Sequence, residues 1–352
     1  MTADHLLRMS LPALLVHAGC ASRAATPTPG TSAPVAAAPT IEVSRLSDHL
    51  LFFFDGRDAG SAPATGKKTW VEESAMDLGV GTYAIHRGTE AVVYDTFTTI
   101  EQARWVRQYL ERMGVRRFTV VLSHWHLDHV AGNAVYADSR IVSSAATSEA
   151  LQTRKQAIES GELWGPPAIA PLVLPGVTFE DTMSLQVGDI ELQLVRFNIH
   201  SKDSTILHVP GDRIALVGDT LEDPVTYISE PADLPDHLVE LRRLRAMDID
   251  KLLPNHGDPR VIAGGGYDKT LIDATTDYIE KMLARVHDEG FLDSSIEDFI
   301  GDSLARGWVN AFEPYRAVHK INLERVHQYY KDKPVPAMPA PASGAADTTQ
   351  PR

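Results

Sequence analysis

Cysteine is almost absent from this sequence: Cys20 is the only one in 352 residues. A single thiol closes no intrachain disulfide and builds no thiolate zinc cluster, so any metal ligands must be histidine and carboxylate. Long apolar runs are missing as well. No stretch approaches the ~20 residues needed to span a bilayer, which excludes a polytopic membrane protein. Cations are scarce, with 33 Lys and Arg against 47 Asp and Glu and a formal net charge of -14. A nucleic-acid footprint needs clustered cations. The longest basic runs, Arg116-Arg117 and Arg242-Arg243, read as solvated surface, so nucleic acid is not an expected partner.

Composition divides the chain. Residues 1–20 run from Arg8 through the apolar Leu11–Val16 to Ala18-Gly19-Cys20, the order of charged, apolar and small residues in a secretory signal. The Ala-Gly-Cys ending resembles a bacterial lipoprotein signal, which implies export to the periplasm and a lipid anchor on Cys20; the alternative is a frayed, unprocessed tail on a cytoplasmic protein. Residues 21–40 are nearly all Ala, Pro, Thr, Ser and Gly, too polar and small to order themselves, and suit a disordered tether. Residues 41–333 read as one globular domain that includes its C-terminal helices. The Pro- and Ala-rich residues 334–352 are expected to be a disordered tail.

Within the globular stretch, Leu50–Phe54 and the two halves of Gly81–Phe97, turning at Arg87-Gly88, read as strands. Thr99–Arg112 sets Ala103, Val106, Leu110 and Met113 at helical spacing, with Gly114 as a stop. Phe118–Leu122 and Ile141-Val142 are further strands, and Thr147–Glu159 is a helix capped by Thr147 or Ser148. The proline-rich residues Gly161–Gly176, with Trp164, are too apolar for an idle linker and read as a loop over the site, one wall of a substrate pocket. Ser184–Val187 and Ile190–Phe197 form a hairpin through Gly188-Asp189, and Thr205–Val209 pairs with Ile214–Val217. Leu234–Met247, Tyr267–His287, Ser295–Ala305 and Tyr315–Lys331 read as helices, and Leu252–Pro254 as a strand. Alternation of strand, helix, strand and loop implies α/β layers with chemistry at strand carboxyl ends.

Those ends hold the reactive residues. Directly after Phe118–Leu122 comes Ser123-His124-Trp125-His126-Leu127-Asp128-His129. In extended backbone His124 and His126 face one side and can converge on one ion; on a helix they would diverge by ~200°. A turn after them lets Asp128 and His129 address a neighbouring ion. Other strand ends offer His200, Asp219 and His256. Seven such groups are too many for one four-coordinate ion and suit two ions that share a carboxylate and a bridging hydroxide. His86, His208, His237, His287, His319 and His327 read instead as structural histidines with satisfied ring nitrogens.

His-x-His-x-Asp-His, Ile199-His200-Ser201, Gly218-Asp219 and Asn255-His256-Gly257, in this order, resemble the metallo-β-lactamase fold superfamily from about Gly81 to Gly257. The resemblance implies a four-layer αβ/βα sandwich, two mixed β-sheets flanked by helices. It implies two zinc ions, although the same donors also suit iron or manganese. His124, His126 and His200 would hold the first metal, Asp128, His129 and His256 the second, with Asp219 bridging and Asp95 orienting a ligand histidine. A metal-bridging hydroxide would then cleave an ester, lactone, thioester or related acyl bond in a small molecule. Asp128 would shuttle a proton, and Tyr227, eight residues after Asp219, would contact the substrate or its oxyanion. β-Lactam hydrolysis by the same site is an alternative, although β-lactamases of the family generally have Cys, or no ligating carboxylate, at the place of Asp219. A mononuclear iron enzyme similar to persulfide dioxygenases, using His124, His200 and Asp219, is another, and would leave the remaining ligands idle.

Overall fold

The structure, a computed structural model, describes residues 40–57 and 69–336. The signal-like residues 1–20 with Cys20, all of the tether but residue 40, and the tail from residue 337 lie outside the described residues. Two sheets organise the rest. The first has seven strands in spatial order β1 to β7: β1 Glu42–Arg45, β2 Leu50–Asp55, β3 Val80–Arg87, β4 Glu90–Tyr94, β5 Arg117–Val121, β6 Arg140–Ser144 and β7 Val177–Phe179. Its first four strands pair antiparallel and β4 to β7 pair parallel. The second sheet runs β12-β11-β10-β9-β8, from β8 Thr182–Val187, β9 Ile190–Arg196, β10 Thr205–Val209, β11 Ile214–Gly218 and β12 Lys251–Pro254. It is antiparallel except where β11 meets β12.

Side-chain alternation along the strands separates the layers. On β2, Leu50, Phe52 and Phe54 pack with Tyr83, Leu192, Leu194 and Leu216 in a core that continues to Leu238 of α4 (Leu234–Ala246) and Leu271 of α6 (Thr270–Arg285). Leu51 and Phe53 face the other way, towards Ala103, Val106 and Leu110 of α1 (Ile100–Arg112) and Leu151 and Ile158 of α3 (Ala145–Glu159). A sheet covered on both faces has no polar side, which is why residues 50–54 read as an unbroken apolar run. The result is the expected architecture of two mixed sheets flanked by helices, which also include α5 (Pro259–Ala263) and α7 (Ile296–Ala305).

The start of α3 differs from expectation. The helix begins at Ala145 and its cap is neither Thr147 nor Ser148 but Ser144, whose Oγ accepts from the Thr147 amide at 3.0 Å. Ser144 is the last residue of β6 and already extended (φ -61, ψ 154), so the strand end itself serves as the cap. Thr147 lies one turn inside and turns its hydroxyl to the Asp203 carbonyl, 3.2 Å away. None of the described helices is long and apolar enough to cross a membrane.

Both sheets deliver strand ends to one edge. The Ser123 carbonyl accepts from Thr205 N and the Asn255 carbonyl from Gly81 N, each at 2.7 Å, stitching one sheet to the other beside the loops that carry the candidate ligands. The Tyr94 hydroxyl crosses from β4 to donate to the Thr205 carbonyl at 2.6 Å.

Candidate metal centre

Asp95 follows β4 and is the pivot of the edge. Its backbone takes φ 68, a left-handed conformation that costs a non-glycine residue roughly 1–3 kcal/mol. Three bonds hold it there: Oδ1 accepts from Ser123 N at 2.7 Å, Oδ2 accepts from Asn255 Nδ2 at 2.6 Å, and Oδ2 faces His129 Nδ1 at 3.0 Å. The carboxylate thus ties the end of β12 to the loop after β5. That loop leaves the strand at Ser123, enters the short helix α2 (Leu127–Val130) and turns at Gly132. A Cβ on Gly132 would lie 2.2 Å from the Thr96 carbonyl and from Ala103 of α1, so the turn closes against that helix only with glycine. Gly218, at φ +56 and with Ser123 Cβ 2.8 Å from where its own Cβ would be, likewise lets β11 approach closely enough to deliver Asp219.

All seven residues expected as ligands meet at this edge, and all are buried. They fall into two groups whose ligand atoms lie within 4.8 Å of one another: His124, His126, His200 and Asp219 in one, Asp128, His129 and His256 in the other. Asp219 belongs to the first group, yet its Oδ2 sits 3.5 Å from His124 Nε2, 3.1 Å from His129 Nε2, 3.8 Å from His200 Nε2 and 3.5 Å from His256 Nε2. One carboxylate oxygen therefore faces both groups.

The far side of each ring explains how it is aimed. His129 Nδ1 meets Asp95, His256 Nδ1 donates to the Gly79 carbonyl at 2.6 Å, and His200 Nδ1 donates to the Tyr227 carbonyl at 3.0 Å. With the proton fixed on Nδ1, Nε2 presents a lone pair to the centre. His124 Nδ1 is held by Ser123 Oγ at 2.8 Å. His126 is turned the other way, with Nδ1 3.1 Å from His200 Nε2 and Nε2 3.4 Å from Ser229 Oγ.

Burial lowers the pKa of His124 and His126 well below the ordinary range, and neighbouring imidazoles add to the effect. Burial would also raise Asp219, but the imidazoles of His129, His256 and His124 outweigh it and hold the carboxylate well down. Burial opposes a proton on His256, yet Asp219 and Asp128 lift it to about 9. The centre is a buried pair of anions balanced by protons on imidazoles, and a cation can replace those protons. Its fit to metal is visible in unpaired atoms: His124 Nε2, His129 Nε2 and Asp219 Oδ1 are buried without a hydrogen-bond partner among the described residues.

Several residues around the centre carry no motif and escaped the sequence reading. Glu222 is buried, accepts from Tyr227 N at 2.8 Å and from the Tyr315 hydroxyl at 2.9 Å, and stands 3.5 Å from His200 Nδ1. Asn322 and Arg325 of α8 (Tyr315–Tyr330) hold the segment that carries Tyr227. Asn322 Nδ2 donates to the Thr226 carbonyl and its Oδ1 accepts from Ile228 N, both at 2.9 Å. Arg325 Nε donates to the Ile228 carbonyl at 2.8 Å, and its Nη2 donates to that of Ser229. Ser229 was missed too. The tyrosine singled out from sequence lies beside the centre, its ring 6.0 Å from that of His200 and 6.2 Å from that of His126. The Gly161–Gly176 loop also reaches the site, placing the Trp164 ring 5.4 Å from that of His126. Among the histidines read as satisfied, His237 and His208 are corrections. Both are buried with neither ring nitrogen hydrogen-bonded among the described residues, and burial lowers the pKa of both, that of His237 to about 3.

A sequence profile of the metallo-beta-lactamase superfamily matches residues 77–256. Solved structures with a similar fold include a metallo-beta-lactamase from Pontibacter korlensis, 16% identical, covering 68% of this chain and 99% of that one with a TM-score of 0.52. The DIM-1 metallo-beta-lactamase, in a crystal exposed to ceftazidime, is 15% identical and covers 69% and 98% at a TM-score of 0.52. VMB-1 is 15% identical and covers 68% and 97% at 0.51. None of the curated proteins matches the sequence closely enough to count as a relative.

Proposed function

The chain belongs to the metallo-β-lactamase superfamily, whose members are generally metal-dependent hydrolases, and from that premise we propose that it is a dinuclear zinc hydrolase acting on an ester, lactone, thioester or related acyl bond of a small molecule. The observation that carries this reading is the Asp219 oxygen between the two donor groups. A shared carboxylate is what lets two cations sit side by side. His124, His126 and His200 would hold one ion, Asp128, His129 and His256 the other, and Asp219 both. Histidine-rich sets with carboxylate suit zinc. When bound, the ions would supply Lewis-acid polarisation of the scissile carbonyl and a hydroxide nucleophile at neutral pH.

The chain's own residues do the remaining work. The Gly79 and Tyr227 carbonyls and Asp95 fix ring tautomers before substrate arrives. Asp128 lies 3.2 Å from His256 Nε2; burial raises its pKa, but His129 and His256 bring it down to about 2. As an ionised carboxylate it would accept a proton and return one to the leaving group. An aspartate at 219 favours lactone, thioester and ester substrates over dedicated β-lactam hydrolysis. Elemental mass spectrometry of protein purified without added metal should find about two zinc ions per chain. The same protein should turn over members of a panel of lactones, thioesters and esters faster than β-lactams. One iron per chain with no hydrolysis would overturn the reading in favour of oxygen chemistry.

A further inference from the structure

We propose that Trp164, Trp125 and Tyr227 form an aromatic subsite for an uncharged apolar group of the substrate, so that the preferred compounds carry an aryl or extended alkyl substituent next to the bond that is cut. The position relative to that bond rests on the hydrolase reading; the subsite itself does not. Three rings surround His126, those of Trp125 at 4.6 Å, Trp164 at 5.4 Å and Tyr227 at 6.2 Å between centroids. Trp164 and Trp125 also contact each other, at 5.7 Å.

Trp164 is the telling residue. It is 42% exposed, although its ring also meets that of Trp70 at 6.5 Å. Its φ is 60, as against 71 for Gly161 and 84 for Gly165, and a bulky residue in that region is strained. Packing accounts for the buried part of the indole but not for a strained backbone that leaves the rest of it open beside His126.

The loop that carries it is nonetheless firmly held. Trp70 Nε1 donates to the Pro167 carbonyl at 3.0 Å, Lys155 Nζ to that of Leu172 at 2.9 Å and Asn133 Nδ2 to that of Val173 at 3.0 Å. Glu159 accepts from Leu172 N at 2.9 Å. The other two rings are braced by cations: the Arg154 guanidinium lies 4.4 Å over Trp125 and that of Arg325 lies 5.4 Å over Tyr227. Such contacts orient a ring at modest energy. Fixed aromatic faces beside a buried polar centre match the usual ligand site, apolar walls with a few convergent polar groups. Each methylene or aryl edge that leaves water there contributes about 25 cal/mol per Å², so a hexyl or phenyl group should raise affinity at least about tenfold.

The test uses the zinc-loaded full chain and γ-lactones bearing hydrogen, hexyl or phenyl on the ring. We expect kcat/KM to rise about tenfold or more from the unsubstituted to the substituted compounds, chiefly through KM. Trp164→Ala should collapse that ratio towards one, Trp164→Phe should keep part of it, and Val239→Ala, an exposed change on α4, should leave the ratio as in the parent. In parallel, decanoate and phenylbutyrate should quench tryptophan fluorescence in the parent, with acetate silent and the affinity lost in Trp164→Ala. Equal turnover of all three lactones, or quenching that survives Trp164→Ala, would overturn the subsite. Length-dependent quenching lost in Trp164→Ala, in a protein that hydrolyses no acyl compound, would support the subsite while sinking the hydrolase reading.

Discussion

The two segments that bring most of the donors to the centre, residues 123–133 and 219–229, are held in different ways. The first is compact and locally written. It leaves a strand, coils into α2 and closes on a glycine, with Asp95 and Thr96 of the adjoining strand end holding it; Thr96 N donates to the His129 carbonyl at 2.8 Å. The second has no helix or strand of its own. Thr226 Oγ1 closes it on the Asp219 carbonyl at 2.7 Å, and Glu222, Asn322, Arg325 and Tyr315 are among the side chains that brace it. Three of those five, Asn322, Arg325 and Tyr315, lie on α8, beyond the 77–256 stretch that matches the superfamily profile. Candidate ligands of equal chemical standing thus depend on supports of unequal sequence distance, and damage to either support should be separable.

The largest effect should come from Asp219→Ala, which removes the oxygen facing both halves. Turnover should fall about a thousandfold, several kcal/mol of barrier, and the metal content should drop below two per chain by elemental analysis. Full occupancy in that variant would mean the halves bind metal independently. Next, Asp95→Asn should weaken metal binding about 10–100-fold by competition with a chromogenic chelator, because His129 loses the carboxylate that aims it. Its effect should centre on the group with Asp128, His129 and His256.

Asn322→Ala should act on the other side. It strands the Thr226 carbonyl and the Ile228 amide, at a cost of about 1–3 kcal/mol, and should lower Tm by a few degrees. Because Tyr227 then holds His200 less firmly, affinity should fall about tenfold in the group containing His200. A lower Tm with unchanged metal affinity would make α8 a structural brace only. The smallest effect concerns acid. His319 of α8 bonds the Tyr278 hydroxyl that Asn322 also holds, and burial lowers it to about 4; His237 is lowered likewise. Between about pH 6.5 and 4 these two histidines bind more protons in the unfolded chain than in the folded one, so their contribution to stability should fall as pH falls through that window. Thermal melts of His319→Gln should show a shallower slope over the same range.

The motif His124 to His129 was legible because its geometry is local: alternation in an extended stretch followed by one turn. The sheets were legible for the same reason, since LLFFF and FTVV declare buried strands by their apolar continuity. Ser144 as the cap of α3 was missed because a strand end and a helix cap are the same residue there, and strand patterning hides the signal. Glu222, Ser229, Asn322 and Arg325 had no signal at all, being single polar residues each with a partner in a distant part of the chain.

What the sequence determined by itself is the donor set and the layers: residue types and short spacings decide which atoms can bind a cation and which faces must be buried. What only the tertiary structure decided is where the donors stand, with the Asp219 oxygen between four imidazoles and the Tyr227 carbonyl behind His200. It also decided that an exposed tryptophan faces the centre. Those placements come from hydrogen bonds and packing between segments up to some 177 residues apart, as with Gly79 and His256. Contacts at such separation form only when the whole chain has folded, so no local pattern encodes them.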